Sequence, residues 1–402
     1  MGMFLNPGNA GFAASVRSKI YVDKTNLIDY TNSILGTEQR FLCVSRPRRF
    51  GKSMAVKMLT AYYSCGCDSH ELFQNRKIAK TANYEKELNR SQVLHLDIQW
   101  FRSIVKDKGI INQVVSYMQL EIIKEFRIHY SEIVSENDAS LSEVLLKIHA
   151  ATGDQFIIII DEWDCLFREE RENPGIQDEY INFLRGLFKG TLAESSIKMA
   201  YITGILPIKK YGTESALNNF DEYTMIDPYP LEEYIGFTEE EVKTLCNIYN
   251  LDFEMTQSWY DGYTFNENIH IYSPKSVLDA IRKKRFGSHW VGTETYESLK
   301  YYIGLNEDGL KDAIVSMLGG VPCKINTRTF QNDLSNIKSK DDVLTLLVHL
   351  GYLSYSQERQ EVRIPNQEVA DEFKNAVEYS GWAICAPEEA HILSGWQKLK
   401  QI

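Results

Sequence analysis

Residues 155–167 read QFIIIIDEWDCLF, with four consecutive isoleucines running into two carboxylates. Successive side chains on a strand point to opposite faces. An unbroken β-branched run therefore needs apolar cover on both sides, the situation of a parallel sheet with helices packed on each face. Three more segments read as strands: RFLCVS (40–45), QVLHLDIQW (92–100) and IKMAYITGILPI (197–208). Between them lie helical patterns, KSMAVKMLTAYYSC after residue 51 and others at 110–127, 140–150 and 177–190. Alternating strands and helices predict an α/β fold with a mostly parallel sheet and right-handed crossovers.

The chain has 402 residues, too many for one ordinary core. We expect an α/β core over 1–225, a helical lid over 226–305 and a winged-helix-like region over 306–402. The last third reads helix, helix, two short strands, helix, which is the outline of a winged helix.

The chemistry begins where the first strand ends. Gly51-Lys52-Ser53 closes the phosphate-loop signature G-x-x-x-x-G-K-[ST], but Arg46 stands where the first glycine belongs. Pro47 holds Arg46 in extended geometry, so this loop begins stiffly. Strand, turn, helix is the context such a loop needs. Its backbone N–H groups, from Arg46, Pro47 (which offers none), Arg48, Arg49, Phe50, Gly51, Lys52, Ser53 and Met54, would surround phosphates at a helix N-terminus. Lys52 would reach the β- and γ-phosphates, and Ser53 would ligate Mg²⁺. Arg48 and Arg49 suit phosphate, an acidic partner surface or plain solvent.

Asp161 and Glu162 leave a buried strand at its carboxyl end, the edge where open α/β sheets bind ligands. Asp161 fits a Mg²⁺ holder of Walker B type, and Glu162 a general base for an attacking water. Thr203, at the end of KMAYIT, fits either a γ-phosphate sensor or an ordinary strand terminus. One strand, 92–100, falls in sequence between the loop strand and the isoleucine strand, leaving room for those two not to be neighbours. P-loop ATPases of the ASCE type, with an added central strand and a catalytic glutamate, are built this way.

Other features read as structural. Asn218 and Asn219 look like turn formers, and the basic cluster 282–286 looks like dipole complementation at a helix end. Trp259, Tyr260, Tyr263 and Tyr272 lack interleaved basic residues and read as packing. Cys65-x-Cys67 has no second ligand pair, so no zinc site is expected. A net charge of -11 excludes a protein that coats nucleic acid through a broadly basic surface. No apolar run is long enough for a bilayer, and the first residues lack the pattern of a secretory signal. The expectation is a cytoplasmic protein with reduced thiols.

These residues together resemble the predicted AAA-ATPase-like family of bacteria, related to the archaeal-type and STAND branches of P-loop ATPases. The resemblance runs through FAASVRSKIYVDKTNLI, SRPRRFGKS, IIIIDEWD, ITGILPI, LNNFDEYT, WYDGYTF, IYSPKSVL, LGYLSY and IPNQEV. It makes Arg46 a family trait, since the family carries S-R-P-R-R-F-G-K-S. It implies ATP or ADP with Mg²⁺ as ligands, Tyr21 and Asp23 near the adenine, and Pro274 as the lid proline against the base. Trp163 replaces the family's usual tyrosine. Members often continue into a nuclease-like domain of PD-(D/E)XK type, whose carboxylate and lysine pattern is not legible in the segment 374–402. The implied function is a Mg²⁺-dependent ATP-hydrolysing switch, with homo-oligomers and a protein or DNA partner at the C-terminal region left open. The alternative is a module that keeps nucleotide as structural glue and docks protein or DNA without hydrolysis.

Overall fold

The computed structural model describes residues 2–190, 195–208, 210–211, 214–266, 268–289, 294–305, 308–332, 334 and 337–379. The chain divides into two compact units, one running to Ile235 and taking in residues 331–335, the other beginning at Gly236.

The first unit is built on five strands: β1 (Phe41–Ser45), β2 (Gln92–Asp97), β3 (Phe156–Asp161), β4 (Ile197–Gly204) and β5 (Asp221–Tyr223). Their spatial order is β2-β3-β4-β1-β5, and every pairing is parallel. The isoleucine strand is thus separated from the loop strand, but β4 does the separating, with Cys43 and Ile160 both opposite Ile202. All six residues of β3 and all five of β1 are buried, as cover on both faces demands. Ile158 and Ile160 share one core with Met118 and Ile122 of a helix at Val114–His129, Leu145 and Ile148 of a helix at Leu141–Thr152, and Tyr180 and Leu184 of a helix at Pro174–Phe188. Each such apolar side chain contributes about 1.5–3 kcal/mol on leaving water.

Two strands are shorter than the sequence suggests, for identifiable reasons. β2 stops at Asp97 because its carboxylate accepts the N–H of Trp100 at 3.0 Å and starts a helix, Ile98–Asp107. β4 stops at Gly204 because the N–H groups of Ile205 and Leu206 donate to the Asp164 carboxylate rather than to a strand. The helix expected from 110 begins at Val114, after a 3₁₀ turn over Ile111–Gln113.

The second unit contains helices at Glu239–Tyr249, Phe253–Tyr260, Pro274–Lys283, Glu294–Gly304, Leu310–Leu318, Lys340–Leu350 and Gln367–Tyr379. It also holds two three-stranded antiparallel sheets. One joins Phe237–Thr238, Ile269–Tyr272 and Tyr263–Phe265. The other joins Cys323–Lys324, Glu361–Arg363 and Ser354–Ser356. The first of these lies in the stretch read as a helical lid, which is therefore of mixed composition. Tyr260, Tyr263 and Tyr272 are fully buried there. Lys283 pairs with Asp279 at 3.1 Å near the end of its helix. Among the described residues no helix is long and apolar enough to cross a membrane. Residues 380–402, most of the segment in which the nuclease pattern was sought, lie outside the described residues.

Candidate nucleotide site

At the carboxyl edge of the sheet, β1 turns through residues 46–51 into a helix, Lys52–Tyr63. Gly51 caps that helix with φ +98°, in the left-handed region where a side chain is strained. Arg49 is left-handed as well, at φ +73°. Turns of this kind gather backbone N–H groups into anion-binding concavities. Lys52 is 5 % exposed, and its ammonium arches back over the loop to donate to the Pro47 carbonyl at 3.1 Å. Burial pulls its pKa down, while Glu162, Asp164 and Asp161 push the other way.

Two strands away, β3 delivers its carboxylates to the same place. Asp161 is buried, which pushes its carboxyl pKa up to about 6, against a hydrogen bond from the Ser53 hydroxyl that favours the charged form. Glu162 follows with φ +52°, a left-handed turn held by its N–H donating to Asp161 Oδ1 at 3.0 Å. That turn puts Glu162 Oε1 4.0 Å from Lys52 Nζ. Lys52, Ser53, Asp161 and Glu162 therefore meet at one edge, although nothing local in sequence joins the two pairs.

Not every loop residue points inward. Arg46 is fully buried, and its guanidinium reaches toward β5 and the segment that follows it. It donates to the carbonyls of Ser45 at 2.9 Å, Tyr223 at 3.0 Å, Thr224 at 3.1 Å and Leu231 at 3.3 Å. That side chain ties β5 and the following segment to β1, and the Arg46 N–H donates to the Gly204 carbonyl at 3.1 Å. Desolvation holds its pKa down to about 10. Phe50 is buried and Met54 is 36 % exposed. Arg48 lies 3.5 Å from Glu169.

Thr203 sits opposite both Asp161 and Val44. Its buried hydroxyl donates to the Val44 carbonyl at 2.7 Å and so serves the sheet. Asp23 accepts from Thr25 N–H and from Lys77 N–H, both at 2.9 Å, tying one turn to another. Tyr21 packs under the Arg76 guanidinium, 4.9 Å from its ring centre, with burial raising its pKa. Asn219 donates to the Phe188 carbonyl at 2.9 Å within a turn. Pro274 belongs to the second unit, as the buried first residue of its helix.

The sequence reading missed Asp164 and Arg168. Asp164 is fully buried and accepts from Ile205 N–H at 3.1 Å, Leu206 N–H at 2.8 Å and Arg168 Nε at 2.9 Å. Arg168 continues to Glu162 Oε2 through Nη2 and to Glu169 through Nη1 at 3.3 Å. The four-residue spacing of Asp164 and Arg168 at a helix start was a readable signal. The link to Glu162 was not, since it depends on the left-handed turn. One further trio among the described residues, Glu239, Asp261 and His270, brings ligand-type atoms within 4.8 Å of one another. Its members already pair, Asp261 with His270 at 2.9 Å and Glu239 with Lys243 at 2.6 Å.

A five-stranded parallel sheet in this order, with Gly-Lys-Ser at the loop-to-helix junction after β1 and an Asp-Glu pair at the end of β3, defines a P-loop-type α/β core. The family described as predicted AAA-ATPase matches residues 14–213 of this chain. An uncharacterized protein in the vnfD 5′ region of Azotobacter chroococcum mcd 1 is 23 % identical over 378 residues. The match takes in 89 % of this chain and 66 % of that protein's length. Among solved structures, the ORC2 protein of Aeropyrum pernix in ADPNP-ADP complexes aligns at 13 % identity over 90 % of this chain and 97 % of its own, with a TM-score of 0.34. CDC6P from Pyrobaculum aerophilum aligns at 12 % identity over 94 % and 99 %, with a TM-score of 0.27.

Proposed function

We propose that the first unit binds ATP or ADP with Mg²⁺ and hydrolyses ATP, as the motor of a nucleotide-dependent switch. The observation that carries this reading is the meeting of Lys52 and Glu162 across 4.0 Å, from segments 110 residues apart in sequence. In the proposed mechanism Lys52 exchanges the Pro47 carbonyl for the β- and γ-phosphates. Ser53 and Asp161 present the hydroxyl and carboxylate that suit Mg²⁺, which supplies neutralisation of phosphate charge. Glu162 accepts a proton from the attacking water. Loop N–H groups at the start of the Lys52–Tyr63 helix bind phosphate oxygens with the helix dipole behind them. The second unit, comprising the lid and the winged-helix-like region, then presents nucleotide state to a protein or DNA partner or to another copy of the chain.

A module that holds nucleotide without hydrolysis is the competing reading. Phosphate release from Mg²⁺-ATP by wild type and Glu162→Gln, with ADP affinity measured in parallel, separates the two. Turnover abolished by the substitution with ADP affinity retained supports the ATPase. Tight binding without turnover in either protein supports the module, and absence of binding refutes the site.

A further inference from the structure

Glu162 does not stand alone in the site. Its Oε1 faces Lys52 at 4.0 Å, while its Oε2 accepts from Arg168 Nη2. Arg168 is 7 % exposed, and Asp164, which accepts from its Nε, is fully buried. The same Asp164 oxygen, Oδ2, also accepts from the N–H groups of Ile205 and Leu206, directly after β4. A Cβ at Gly204 would lie 2.4 Å from Asp164 Oδ1, so the absence of a side chain there lets the carboxylate sit where it does. Arg168 is therefore fastened at Nε to a group that is itself fastened to the neighbouring strand. Moving the guanidinium would leave a buried carboxylate without its countercharge. Glu162, with 26 % of its side chain exposed, is the less confined member of the pair.

Resting on the ATPase reading above, we infer that Arg168 is a positioning residue: a fixed cationic post that orients the Glu162 carboxylate for water activation. Its fork takes Oε2 and leaves Oε1 on the side of Lys52, where the phosphate chain would lie. Once Lys52 turns to phosphate, Oε1 is the oxygen left to accept the water's proton. A carboxylate on a left-handed backbone, without such a post, would sample several rotamers and spend little time in line. The chain thus carries within its own first unit a cation that governs its general base.

The test uses the full chain and the variants Arg168→Ala, Arg168→Gln and Arg168→Lys. Phosphate release gives kcat and KM, ADP titration gives Kd, and the thermal midpoint reports the fold. The expected result is a fall in kcat of about 100-fold for Arg168→Ala and Arg168→Gln, within the range that acid–base groups supply. ADP Kd and KM should stay within about 3-fold. Arg168→Lys should recover roughly 10-fold of the lost rate, since it keeps the charge but loses the planar fork. A rise in kcat would overturn the inference and make Arg168 a brake. Kd weakened as much as kcat would overturn it in favour of direct nucleotide contact. Equal losses in the Lys and Gln variants with a lowered midpoint would leave only a structural role. Should Arg168→Ala fail to fold, the Lys and Gln pair still decides. A wild type that binds ADP yet releases no phosphate would refute the hydrolysis reading itself, and this role with it.

Discussion

Arg46 occupies the place of a glycine in the phosphate-loop signature, so replacing it with glycine looks like a repair. The structure predicts damage. Its guanidinium donates to four backbone carbonyls, three of them outside its own strand, at Tyr223, Thr224 and Leu231. Each bond removed at a buried carbonyl costs about 1 kcal/mol or more. The space vacated by a fully buried side chain adds a cavity term, and glycine adds freedom to the unfolded chain. The four bonds alone come to about 4 kcal/mol, a large share of the roughly 5–15 kcal/mol that holds a typical domain together. Keeping the charge buried has its own cost, visible in the pKa pulled down to about 10. Arg46→Met, which fills the space without a charge, should therefore lose less than Arg46→Gly. Scanning calorimetry on the full chain measures the loss, and hydrogen exchange at residues 221–224 locates it at β5. An Arg46→Gly variant within about 0.5 kcal/mol of wild type, with exchange unchanged at those amides, would refute this account of Arg46.

Burial raises the Asp161 carboxyl pKa from 3.8 to about 6, so the folded, nucleotide-free protein holds that proton more tightly than the unfolded chain does. Stability from this group falls as pH rises through that window, by about 3 kcal/mol at neutral pH. Asp161→Asn should accordingly raise the thermal midpoint of the unliganded chain at pH 7, lose that advantage below about pH 4, and abolish Mg²⁺-dependent turnover; a lowered midpoint at pH 7 would contradict the argument. Thr203→Val should cost about 1 kcal/mol by removing the hydroxyl's bond to the Val44 carbonyl, with kcat unchanged. A fall in kcat beyond 10-fold would instead make the Thr203 hydroxyl a sensor of phosphate.

Much of the core was legible because its signals are local. Four β-branched isoleucines in an apolar run bounded by polar residues favour a doubly covered strand, and Gly51-Lys52-Ser53 carries its own helix start. The failures arise where a residue's partner is distant. Nothing near Arg46 marks Tyr223, Thr224 and Leu231 as its acceptors, because β5 reaches β1 only through the parallel sheet. Nothing near Thr203 tells whether its hydroxyl faces ligand or sheet. The strand expected through residue 208 ends at Gly204 because a carboxylate from the next strand's exit, Asp164, captures the two N–H groups that follow. The sheet in the second unit was missed because strands of two to four residues leave too short a pattern to distinguish from turns.

The backbone of Glu162, at φ +52°, has an implication for how this sequence would drift. Left-handed geometry disfavours a glutamate by about 1–2 kcal/mol relative to glycine, and asparagine tolerates it better than most. A library of variants at position 162 selected for thermal tolerance alone should enrich glycine and asparagine where relief of backbone strain outweighs the lost ion pairs with Arg168 and Lys52. Selection for turnover in the same library should keep the glutamate. Position 162 is thus a place where the backbone and the chemistry ask for different amino acids, and the residue found there is the one the backbone would not choose.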